Sequence, residues 1–210
     1  MKIQWTPRVN RAVVILPLAA AALSQSASAG LVAVSSQAVW NYYLGTAGLV
    51  VETETFNAIP DGFYSSPFGG STASVAWSAS ASGGLYVSNG IISTNNPVTL
   101  QFTFSPGVRA VAGNFFGTDI NFNNATVLFT VQLSDGTGYT GFATSPSDFT
   151  GFRSTTAATI SGLSITVENA AGSTAVYPGV DNLYFGVVSA PGAVALLAVA
   201  GLSASRRRRA

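Results

Sequence analysis

The sequence predicts an all-β protein, a single β-sandwich of jelly-roll type, and three observations carry that expectation. Apolar and polar residues alternate in several short runs, turn-forming residues recur about every eight to twelve positions, and 22 glycines are spread along the chain with no convincing amphipathic helix. A barrel or a β-helix would also use many short strands, but no fixed period marks a solenoid.

The elements follow in order. Residues 30–45 are small and aromatic without a clear period and read as an N-terminal arm with one edge strand. Residues 49–56 are rich in β-branched side chains and form a strand that ends at the turn-formers 57–62. Residues 61–74 hold four glycines and prolines and read as a loop, with Phe63, Tyr64 and Phe68 packed on the sandwich. Strands are expected at 73–78 and 85–88, then at 98–104, where alternation puts Val98, Leu100, Phe102 and Phe104 on one core face. Further strands fall at 108–116 and at 126–133, where Val127, Phe129, Val131 and Leu133 point inward. The turn 134–138, with Asp135-Gly136 at its centre, closes a hairpin on the returning strand 139–143. Leu163, Ile165 and Val167 define another strand, and residues 180–187 the last.

Both ends of the chain read as targeting devices. Residues 1–29 carry Lys2, Arg8 and Arg11, an apolar stretch from 12 to 23, and Ala27-Ser28-Ala29 before Gly30, the pattern of a secretory signal peptide cleaved after Ala29. At the other end, residues 193–202 are apolar and uncharged, yet cover only half of a hydrocarbon core about 30 Å thick. A helix from Val187 to Ser205 would be long enough to cross. Arg206, Arg207, Arg208 and Arg209 would then hold the end on the cytoplasmic side. The other reading of that cluster is a solvated basic tail. The chain thus divides into a signal peptide (1–29), a β-sandwich domain (30–188) and a C-terminal sorting signal (189–210).

The order of a Pro-Gly element, an apolar run and a terminal arginine cluster resembles the PEP-CTERM sorting signal of bacterial exported proteins. Here Ser189-Ala190-Pro191-Gly192 stands where that family has Pro-Glu-Pro. The resemblance implies an exosortase-like membrane protease as partner, a membrane-held intermediate, and a final place at the cell surface or in an extracellular matrix rich in polysaccharide. A variant sorting enzyme and a tail kept as an anchor both stay open. The body is similar to the secreted β-sandwich domains that precede such tails, in Glu54-Thr55-Phe56 and in the segments 84–90, 113–119 and 180–186.

Composition excludes several functions. The ends hold seven of the nine basic residues, leaving Arg109 and Arg153 against eight carboxylates in the middle, a formal charge of about −6. Such a surface does not bind nucleic acid, whose phosphates need a basic face. With no Cys and no His there are no disulfides, Cys-His zinc sites or Ser-His-Asp machinery, and the sole Lys is Lys2. Carboxylate pairs remain, as glycoside hydrolases use. Asp119, Asp135, Asp148 and Glu168 qualify by type alone, and the expectation is a non-catalytic structural or adhesive protein.

Two binding chemistries remain. Glu52 and Glu54 lie early and Asp181 late, so adjacent first and last strands would gather hard oxygen ligands for a structural Ca²⁺. The layout is similar to carbohydrate-binding modules of jelly-roll type, which implies Glu54 and Asp181 as the calcium pair. The alternative is that both hydrogen-bond locally. A carbohydrate-binding surface would draw on Trp40, Trp77, Tyr86 and Tyr139 with Asn89, Asn95 and Asn96, although their spacing selects no site.

Overall fold

A computed structural model describes residues 31–156, 158–170, 172 and 175–188. The signal peptide, and the sorting signal with Ala190, Pro191, Gly192 and Arg206 to Arg209, lie outside the described residues.

Two antiparallel sheets pack face to face. The first runs, in spatial order, β1 (Leu31–Val34), β13 (Phe149–Ser154), β9 (Val108–Thr118), β15 (Tyr177–Val188), β7 (Ile91–Thr94), β6 (Leu85–Ser88) and β3 (Gly62–Tyr64), with strands numbered in chain order. Beside this path β10 (Asn124–Ala125) pairs with β9, and β2 (Leu49–Glu54) pairs with β15. The second sheet runs β12 (Gly138–Ala143), β11 (Val127–Leu133), β14 (Gly162–Asn169), β8 (Leu100–Phe104), β5 (Ala76–Ser80) and β4 (Phe68–Ser71). An all-β sandwich is therefore the architecture, as the alternating sequence runs require.

Alternation explains the core. Leu100, Phe102 and Phe104 of β8 and Val127, Phe129, Val131 and Leu133 of β11 turn inward against Val111, Phe115, Val180, Leu183 and Phe185 of the opposing sheet. Phe56, wholly buried at φ 56°, caps this layer edge-on to Trp77 at 5.3 Å. Burying side chains of this size contributes about 1.5–3 kcal/mol each. The 134–138 turn is the expected hairpin: Gly136 takes φ 86° and Asp135 accepts from the Thr137 N–H at 2.9 Å.

One irregularity sets the geometry of the longest strand. A bulge falls between Asp181 and Leu183, with Asn182 at φ 52°, a left-handed conformation that Asn tolerates. Val180 and Leu183 both reach the core because of it, while Asp181 and Tyr184 face outward.

The structure corrects four expectations. The arm 30–45 contains β1 and also a helix, α1 (Gln37–Thr46), capped by the Ser36 hydroxyl on Val39 N–H. Only Trp40 and Leu44 of α1 are buried, one pair four residues apart, which is too short an apolar stripe to read as amphipathic. The segment 61–74 holds β3 and β4 in place of a plain loop, and β7, β10 and β13 join the expected strands. Tyr64 and Phe68 pack on the core, with ring centroids 4.2 Å apart, whereas Phe63 is exposed. Finally, Val187 pairs with Val108 and Val50 as part of β15, so no helix begins at Val187. Among the described residues no helix is long and apolar enough to cross a membrane.

Candidate functional site

The acidic residues on β2 serve the contact between sheets. Glu54 lies opposite Leu183, so its side chain turns inward, accepting from Trp77 Nε1–H at 2.9 Å and from Phe56 N–H at 2.8 Å. Glu52, opposite Phe185, accepts from the hydroxyls of Thr72 and Ser74 and from Ser74 N–H. Partial burial raises the Glu52 pKa, but the bonds from Ser74 and Thr72 outweigh it and hold the carboxyl below the usual glutamate value. Asp181 sits beyond the bulge on the other face of the same sheet, near Tyr184. Burial pushes its carboxyl above the usual aspartate value, opposed in part by the Asn182 N–H. The structure therefore sets Glu54 and Asp181 on adjacent strands with their side chains on opposite faces. Among the described residues no three acidic, His or Cys side chains gather as a metal cluster.

A different place has the form of a binding site. Where β6, β7, β9 and β15 end together on the outer face of the first sheet, they enclose a cleft of about 320 Å³, at the small end of ligand pockets. The buried neighbours Leu85 and Val87 turn Tyr86 outward by alternation, and Tyr177 is brought beside Thr118 by the pairing of β15 with β9. The loop after β9 supplies the third ring, because Phe122 packs on Tyr86 with centroids 5.2 Å apart and planes at 43°.

That loop is shaped by Asp119. Its carboxylate accepts from the N–H groups of Asn121 and Asn123 at 2.8 and 2.9 Å, and from Asn123 Nδ2 at 3.0 Å, while Phe122 takes φ 62°. The Asn123 side-chain bond is the main reason that the Asp119 pKa falls below the usual aspartate value. Ile120 is thereby held 74% exposed at the lip of the cleft.

The floor is polar. Ser93 Oγ donates to Pro178 O at 3.0 Å and Thr94 Oγ1 to Asn96 O, which satisfies both hydroxyls. Thr118 differs: the residue is 1% exposed and its Oγ1 has no hydrogen-bond partner among the described residues. A buried hydroxyl without a partner costs about 1–3 kcal/mol. Aromatic side chains beside hydroxyl, amide and carboxylate residues suit a saccharide, whose ring has apolar C–H patches and many hydroxyls.

Of the residues expected for sugar contact, Tyr86 and Asn95 line this cleft. Trp40 and Trp77 are core residues, at 0% and 4% exposure, Trp40 beneath α1 and Trp77 between the sheets. Tyr139 packs on Phe129 and Phe152. Asn96 donates to Ser82 O, and Asn89 takes the left-handed turn after β6. Among the carboxylates considered for catalysis, Asp119 lines the cleft, Asp135 serves its turn, and Asp148 accepts from Thr144 and Ser145. Thr118, Phe122 and Tyr177 were not singled out by the sequence, since each lies at a strand end or in a loop where periodicity says nothing.

Fold and cleft together describe an all-β sandwich with a small cleft on an outer face. No protein-family model and no curated protein matches the chain. Among solved structures, it is similar to a carbohydrate-binding module of family 29 at 12% identity, over 66% of this chain and 88% of that one, with a TM-score of 0.33. Two mutants of a family 29 carbohydrate-binding module, one complexed with cellulohexaose and one with mannohexaose, match at 13% identity and TM-scores of 0.33, over 66% of this chain and 91% and 92% of theirs. Likeness at this distance carries nothing about the cleft or its ligand.

Proposed function

We propose that the chain is an exported, surface-sorted, non-catalytic adhesion protein whose sandwich holds a saccharide unit of an extracellular polysaccharide in the cleft of Tyr86, Thr118, Phe122 and Tyr177. The observation that carries this reading is a cleft lined by three aromatic rings, Tyr86, Phe122 and Tyr177, together with Asn95, Asp119 and Thr118, whose buried hydroxyl has no partner among the described residues. A hydrolase would need two carboxylates about 5–10 Å apart, and the cleft is lined by Asp119 alone. Export and sorting rest on the signal peptide, and on Ala190, Pro191, Gly192 and the cluster Arg206 to Arg209. An exosortase-like protease is the implied membrane partner. The jelly-roll assignment belongs to the same reading: β8, β9, β11, β13, β14 and β15 pass from one sheet to the other in alternation, apart from hairpin partners.

The test is a glycan array probed with the full-length protein and two variants. Tyr86→Ala removes a stacking face and is expected to weaken binding about ten-fold, ~1.4 kcal/mol. Thr118→Val removes the orphan hydroxyl at constant volume, so binding should fall while the melting temperature holds or rises. A melting temperature that drops with Thr118→Val, or binding indifferent to both changes, refutes the cleft as the site.

A further inference from the structure

The charge around the cleft narrows its ligand. Resting on the saccharide reading above, we propose that the cleft takes glycan units free of negative charge, and that Asp119 is the residue that refuses anionic ones. Asp119 lines the cleft, and its three donors come from its own loop. Its Oδ2 receives only the Asn123 amide at 3.0 Å, which leaves a lone pair for a ligand hydroxyl and none of the donors that a second anion would need. Among the described residues the only cations are Arg109 and Arg153, and neither lines the cleft to offset a uronate, sulfate or phosphate group. Arg109 is the second residue of β9 and Thr118 the last, about 30 Å apart at the rise of a strand. Arg153 lies against α1, with its guanidinium carbon 4.3 Å from the Tyr43 ring centroid. Lys is absent from the chain beyond Lys2, and the middle carries about −6 overall. An anionic sugar therefore meets repulsion at the lip and across the domain, whereas a neutral one finds the Asp119 acceptor and the apolar rings without that penalty.

Asp119→Asn separates charge from loop shape. The amide oxygen can still accept from the N–H groups of Asn121 and Asn123, so the turn that carries Phe122 is retained. The probes are hexamers of glucose, mannose and galactose, and the same hexamers oxidised at C6 to uronates, titrated calorimetrically into the full-length protein. The parent should bind a neutral hexamer at least about five-fold more tightly than its oxidised form, the scale of an exposed charge contact. The gap should shrink in 0.5 M salt, roughly three times physiological ionic strength. In Asp119→Asn, at an unchanged melting temperature, it should close to within about two-fold. An oxidised hexamer that binds as well as the neutral one and is lost in Tyr86→Ala would overturn the charge rule and leave the saccharide cleft standing. A gap that persists in Asp119→Asn removes Asp119 as its cause. If no hexamer of either kind binds the parent, the saccharide reading itself falls and this inference with it.

Discussion

Single side chains show how polar residues are used where the composition is so poor in charge. The bond from Trp77 to Glu54 lets a large ring finish the core while its one polar atom finds a carboxylate at the sheet edge. Trp77→Phe keeps most of the ring and deletes the donor, so denaturant midpoints should fall by an amount equivalent to about 1 kcal/mol with an unchanged m-value. Asp181 and Glu52 have opposite pH signatures. Because folding raises the Asp181 pKa, its charge detracts from stability at neutral pH, and the loss is relieved as pH falls through the raised value. Glu52, with its pKa lowered, contributes above the ordinary glutamate range and loses that contribution as pH falls through the lowered value. Asp181→Asn should accordingly melt above the parent at pH 7, with the gap closing in the acid window just above the ordinary aspartate value. A pH-independent gap would contradict the assignment. A parent melting temperature that rises in calcium and falls in EDTA, with Asp181→Asn blind to both, would instead put a cation at Asp181. These opposite signs were not legible in the sequence, because the bulge at Asn182 reverses which residues of β15 face inward.

At the scale of elements, legibility follows period length. The strands carrying Leu100 to Phe104 and Val127 to Leu133 were plain because three and four alternating apolar residues leave one consistent face. The helix α1 was hidden because its docking depends on what lies beneath it. Trp40 sits over Gly151, and Leu44 over Gly186 and Ala110, and these small residues come from β13, β15 and β9, far away in the sequence. A Cβ on Gly186 would stand 3.0 Å from Leu44 Cδ1 and 2.9 Å from Ala110 Cβ. Gly186→Ala should thus destabilise by about 1–3 kcal/mol through overpacking, and Leu44→Ala by about 2–5 kcal/mol through the cavity it leaves. Combined, they should cost less than their sum, since the shortened side chain makes room for the new methyl. Strict additivity in chemical unfolding would show that α1 does not rest on Gly186.

For the whole molecule, the fold class was readable from the sequence and the cleft was not. Alternation reports which face of a strand is buried, but the cleft forms where Tyr86, Thr118 and Tyr177 end their strands together, and only the sheet order brings these positions side by side. Tyr86 and Asn95 could be named by residue type, while Phe122 depends on the turn built by Asp119. The sorting proposal is a property of the whole chain and is tested there. Cells making the full chain should retain it at the surface or in the matrix, and a form lacking residues 190–210 should escape to the medium. Equal release of the two forms would end the proposal.

The strand that ends where the tail begins has a mechanical meaning. Tyr177, at one end of β15, lines the cleft, and Val188, at the other, is paired to Leu49. About 36 Å of extended backbone separates them at the strand rise. A protein held by its C-terminus would therefore present the cleft on the pole farthest from its tether, and a tug from a bound polymer would run lengthwise through β15. Its ladders with β9 on one side, and with β7 and β2 on the other, would then be loaded together in shear rather than peeled one bond at a time.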